Sequence, residues 1–146
     1  MRRPVAPRPV PCLLVLLLLG ACTGLTAGPE VSAVTPVPAS RDSAWVRAKR
    51  ALTAEVFTLD VQDSVAGRIT AMRYPSATAK VGTVAACRVR LALTLEGTRE
   101  GSQVESASRW IAPESMAAKP DLCEQDRRET LDRILLVVAP APVVNQ

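Results

Sequence analysis

Apolar and polar positions alternate along this chain with two periods, and each change of period marks an element. After Asp42 or Ser43, either of which can cap a helix, Trp45, Ala48, Leu52 and Val56 recur at spacings of three and four. They share one stripe of a helix running to about Glu55, with Arg47, Lys49 and Arg50 elsewhere around it. A stripe of that kind faces a core. The period then becomes two: Phe57, Leu59 and Val61 alternate against Thr58, Asp60 and Gln62, the pattern of a half-buried strand. Asp63 to Gly67 supply a turn, and Arg68 to Tyr74 return, with Ile69 and Ala71 competing against Met72 and Tyr74 for the buried side. Past a looser segment from Pro75 to Gly82, Val89, Leu91, Leu93 and Leu95 alternate with Arg88, Arg90, Ala92 and Thr94, and Cys87 shares the apolar parity. Glu96 to Gly101 mark a second hairpin, from which Ser102 to Ile111 return with Val104 and Trp110 on one parity. Pro113 and Pro120 interrupt the chain, and a helix opening near Asp121 carries Leu131, Ile134, Leu135 and Val138 until Pro140 and Pro142 end it.

The order helix, four strands, helix predicts an α+β two-layer sandwich: a four-stranded antiparallel meander flanked by an N-terminal and a C-terminal helix that cover one face. It places the folded domain at residues 42–139, followed by a tail, 140–146, with no apolar pattern to fold it. Residues 22–41 hold Gly24, Gly28, Pro29, Pro36 and Pro38 among small side chains without a continuous apolar face. That composition predicts a flexible tether.

Ahead of the tether, Arg2, Arg3 and Arg8 form a basic region and Cys12 to Leu19 an apolar run, the layout of an export signal. A spanning helix needs about 20 apolar residues, and Gly20 stops this run too early. The run ends in Leu19-Gly20-Ala21-Cys22, which resembles the lipobox of bacterial lipoproteins. The resemblance implies a diacylglyceryl group on the Cys22 sulfur, removal of residues 1–21 as a signal peptide, and acylation of the new amino terminus. Buried acyl chains contribute about 0.8 kcal/mol per methylene, so two or more hold a protein stably on one leaflet. Thr23 stands where an aspartate tends to retain such proteins at the inner membrane, which implies the periplasmic face of the outer membrane. The element order, with Trp45 early in the first helix and Phe57 opening a strand, also resembles the helix-grip modules of BamC-type envelope lipoproteins over Ser43 to Ala139. No diagnostic motif accompanies that likeness, and none of that family's binding residues is carried over.

Charge and cysteine usage change this picture in two ways. Of the 18 basic residues three lie in the signal, and the remaining 15 face 14 acidic ones, so the net charge of +4 is no argument for nucleic acid as a partner. Cys12 would leave with the signal and Cys22 would carry lipid; Cys87 and Cys123 remain as an even pair in a chain routed to an oxidising compartment, where a disulfide is expected.

Catalytic constellations are hard to find. The chain contains no histidine, which removes the usual base near neutral pH and any histidine-bearing metal site. Gly97 and Gly101 lack the spacing and lysine of a phosphate loop. Asp60 with Asp63, and Glu96 with Glu100, border turns, where carboxylates are ordinarily solvated. We therefore expect no enzyme, no cofactor and no metal.

A more distinctive feature is the polar parity of the strands, where Arg68, Arg88, Arg90 and Arg109 are predicted to share the face away from the helices. Such a face could hold an anionic envelope component; balanced against Glu105 and its neighbours it would be plain solvated surface. The expected function is a non-catalytic interaction or scaffold module, tethered to a membrane through its N-terminal lipid, with envelope proteins or anionic envelope polymers as partners. The alternative is a lipoprotein that binds a lipid or small ligand in an apolar groove between helix and sheet.

Overall fold

The computed structural model describes residues 25–75, 87–98, 100–113 and 119–140. The export signal, Cys22 and the tail beyond Pro140 lie outside the described residues, as does most of the segment from Pro75 to Gly82. Within them the order is β1 (Leu25–Ala27), β2 (Val31–Val37), α1 (Arg41–Ala54), β3 (Thr58–Asp63), β4 (Arg68–Arg73), β5 (Arg88–Thr98), β6 (Gly101–Pro113) and α2 (Pro120–Val138).

The α+β class and the two helices are as expected, but the antiparallel sheet has six strands, not four. The meander β3-β4-β5-β6 is present, and β1 and β2 extend it along the far side of β6. Both extra strands come from the stretch expected to be a tether. Val31, Ala33, Thr35 and Val37 share one parity, and Val37 is buried. The signal is weak because those side chains are small and Pro36 interrupts it. A proline is tolerated there because β2 is an edge strand that pairs with β6 alone and needs only one side of its backbone.

The helix α1 begins two or three residues earlier than expected, because Ser40 caps it by accepting from the Ser43 amide at 3.3 Å. Ala44, Ala48, Ala51 and Leu52 form its buried stripe, with Trp45 partly buried beside them. Val56, expected on that stripe, lies past the helix end in the left-handed region (φ 60) and is 78% exposed. It turns the chain so that Phe57 enters the core. The alternation expected for β3 also breaks: a bulge between Leu59 and Val61 moves Val61 to the outer face. In β4 the competition resolves in favour of Ile69 and Ala71.

The core lies between one sheet face and the two helices. Leu52, Ile69, Leu91, Leu93, Leu95, Val104, Ile134 and Val138 are fully buried in one cluster. A second, smaller cluster joins Cys87, Trp110, Ala112 and Cys123. There the two sulfurs sit at disulfide distance, with Cα atoms 5.6 Å apart across 36 residues of sequence, so the start of α2 is pinned to the start of β5. Trp110 lies over Gly28, where a Cβ would come within 2.2 Å of the indole nitrogen. Among the described residues no helix is long and apolar enough to cross a membrane.

Candidate functional site

Strand pleating sends alternate side chains of β4, β5 and β6 to the face that the helices leave open. The register then decides which arginines meet. Arg90 of β5 stands directly opposite Arg109 of β6, with Met72 of β4 on its other side. Arg88 is in the next row, opposite Ile111, which in turn faces Ala27 of β1. Its guanidinium lies 5.7 Å from the ring centre of Tyr74, a residue 54% exposed. Three of the four predicted arginines are thus brought together at one end of the sheet.

Arg68 is not among them. It sits two rows away, opposite Asp63 on one side and Thr94 on the other, with Glu105 next in the same row. There the balanced, solvated surface described above holds. The open face is therefore polarised: Arg88, Arg90 and Arg109 occupy one end, and Asp63, Glu96 and Glu105 lie with Arg68 toward the other.

The positive end is electrostatically costly. Like charges directly opposite on neighbouring strands destabilise a sheet, and among the described residues the ion pairs fall to other arginines: Arg73, Arg127, Arg128 and Arg133. The Nε atoms of both Arg88 and Arg109 are buried and have no hydrogen-bond partner. Buried donors are normally satisfied, so these two nitrogens are exceptions in the packing of this end of the sheet. Tyr74, Met72 and Ile111 put apolar surface beside them.

A second polar cluster, which the sequence reading missed, fills part of the interface between α2 and the sheet. Arg127 is 4% exposed and holds Glu124 through two hydrogen bonds, while its Nη1 donates to Ser108 Oγ of β6 at 2.7 Å. Arg73 pairs with Asp126 and donates to Thr130 Oγ1 at 2.9 Å. Arg133 of α2 grips Glu55 at the end of α1 with two bonds of 2.9 Å. Hydrogen bonding to their arginines holds the Glu55 and Glu124 carboxyls below their ordinary value of 4.5. Burial pushes Asp126 above its ordinary 3.8, against the attraction of Arg73. The spacing carried a clue: Cys123, Arg127, Leu131, Ile134 and Val138 continue one stripe, and Arg73 shares the parity of Ile69 and Ala71. Each carboxylate is committed to a guanidinium, so the cluster is built to join the helices to the sheet.

Two shallow concavities lie among the described residues. One groove of 290 Å³ opens between Thr35 of β2 and Asp132, Leu135, Leu136 and Ala139 at the end of α2. Another, lined by Asp121, Glu124, Gln125, Arg128 and Glu129, lies along the outer side of α2. Among the described residues no cluster of carboxylates and cysteines has the make-up of a metal site.

No protein-family model and no curated protein sequence matches the chain. Its fold is that of a known class of helix-and-sheet proteins. The solved structure of Ara h 8.0201 superimposes with a TM-score of 0.53 at 12% identity, covering 79% of this chain and 95% of that one. A structure of a Chromobacterium violaceum protein gives a TM-score of 0.43 at 13% identity, covering 77% of this chain and 99% of that one. At such identities the likeness to Ara h 8.0201 concerns the fold alone.

Proposed function

We propose that this chain is an exported lipoprotein of the bacterial envelope, anchored through lipid on Cys22, whose α+β domain serves as a non-catalytic interaction module on the periplasmic face of the outer membrane. The observation that carries the reading is the sequence Leu19-Gly20-Ala21-Cys22 directly behind a basic region and an apolar run. Cys87 and Cys123 at disulfide distance agree with an oxidising compartment. The partners on this reading are the membrane itself and an anionic or protein component of the envelope.

The early start of the sheet sharpens the proposal. Leu25 already pairs with Pro113, so three peptide links separate Cys22 from the sheet, a reach of about 11 Å at full extension. The domain would be held against the bilayer and not on a long leash.

The test is intact-mass measurement of the protein from membranes of its native host, beside a Cys22→Ser control. A chain beginning at Cys22 and carrying acyl groups is expected, with the control lacking them. An unmodified polypeptide that retains its first 21 residues would overturn the proposal.

A second reading, binding of a lipid or small ligand, is favoured by the apolar lining that Leu135, Leu136 and Ala139 give the groove beside β2. Its volume is at the lower edge of typical ligand sites. Co-purified lipid that is lost on Leu135→Asp would support it over the scaffold reading.

A further inference from the structure

From the placement of Arg88, Arg90 and Arg109 we infer that this end of the open sheet face docks on the anionic phospholipid headgroups of the membrane to which the chain is tethered; the inference rests on the Cys22 reading for its setting.

Three observations converge on it. First, the positive end of the face is the end at which the chain would leave the bilayer. Leu25 pairs with Pro113, Ala27 with Ile111, and Ile111 with Arg88, so Arg88 stands two strands, about 10 Å, from β1 and only one row from its first residue. Second, the acids that the paired strands place on this face, Asp63, Glu96 and Glu105, lie toward the opposite end; Glu30, exposed between β1 and β2 at the level of Arg109, is one acid set against three arginines at the basic end. Third, the groups present match a headgroup layer. Guanidiniums take phosphate oxygens by paired hydrogen bonds. Arg90 is exposed on this face between the half-buried Arg88 and Arg109, and exposed Tyr74 beside Arg88 is the side chain favoured at a membrane interface.

The experiment uses the full chain carrying Cys22→Ser, so that no attached lipid contributes. Its partition is compared on vesicles of phosphatidylcholine alone and of phosphatidylcholine with phosphatidylglycerol. Basic residues near an anionic surface act roughly fivefold each, so R88Q/R90Q/R109Q should weaken binding to the anionic vesicles on the order of 100-fold, while Arg68→Gln should leave it within about twofold. The difference should vanish by about 0.5 M salt. The signal segment is identical in every variant and cancels from the comparison. Position is read separately: in small anionic bicelles carrying a headgroup nitroxide, the side-chain Nε–H resonances of Arg88 and Arg109 should broaden, and those of Arg68 and Arg128 should not. Thermal unfolding confirms that the triple variant is folded, since relieving a like-charge pair should not lower its stability. Equal binding by parent and triple variant, broadening of Arg68 in place of Arg88, or arginine-dependent binding to a soluble polyanion with none to vesicles would each overturn the inference. None of these outcomes depends on whether Cys22 is acylated, which the mass measurement decides alone.

Discussion

At the scale of single residues, two positions show how little freedom the packing leaves. Gly28 has no side chain because Trp110 occupies that space, and a methyl group there would collide with the indole. Gly28→Ala is therefore expected to destabilise the fold by about 1–3 kcal/mol, the usual cost of overpacking, measurable as a lower midpoint in urea. Arg127 is the other: a buried cation made tolerable by Glu124 and Ser108. Glu124→Gln leaves that guanidinium short of its counter-charge and should cost about 1–3 kcal/mol at pH 7. The sign with pH follows from the lowered carboxyls. Glu55 and Glu124 stabilise the folded state above their ordinary 4.5, and that contribution is lost as pH falls through their depressed folded values. Asp126 runs the other way, because its folded value is raised: its contribution is present below 3.8 and lost as pH rises. The gap between parent and Glu124→Gln in urea unfolding should accordingly narrow from pH 7 to pH 3. A gap that stays constant would show that the Glu124 charge is not what holds Arg127.

At the scale of elements, legibility tracks how strongly one face is buried. β5 was plain in the sequence because Val89, Leu91, Leu93 and Leu95 all enter the core while their neighbours face out. β3 was found but its register was not, since a bulge adds one residue between Leu59 and Val61 and no residue type announces it. β2 was missed altogether: it is an edge strand that places a single fully buried side chain, Val37, in the core. The attachment of α2 depends on a distant pair, Cys87 and Cys123. In the chain-entropy model a loop of 36 residues stabilises the fold by about 4 kcal/mol. Reduction, or Cys87→Ser with Cys123→Ser, should lower stability by roughly that amount, and Trp110 emission should shift to longer wavelength as its cluster loosens. An unchanged unfolding curve on reduction would mean that the sulfurs are not bridged.

At the scale of the whole molecule, the sheet divides the chain's chemistry between its two faces. The covered face spends its charges internally, each buried or half-buried carboxylate gripping a guanidinium that ties a helix to the sheet or to the other helix. The open face leaves three guanidiniums together at one end. Four arginines were legible as a set because they share strand parity; that Arg68 drops out was not, because rows across a sheet depend on register between strands far apart in sequence. The amino-acid order by itself determined the helices, the alternation of the central strands, the cysteines available to pair and the greasy stretch ending at Cys22, since each is a local pattern. Which strands flank β6, where the sheet begins relative to that cysteine, and which like charges stand side by side were settled only when distant segments paired, because hydrogen-bond register is a property of two strands at once and neither one carries it alone.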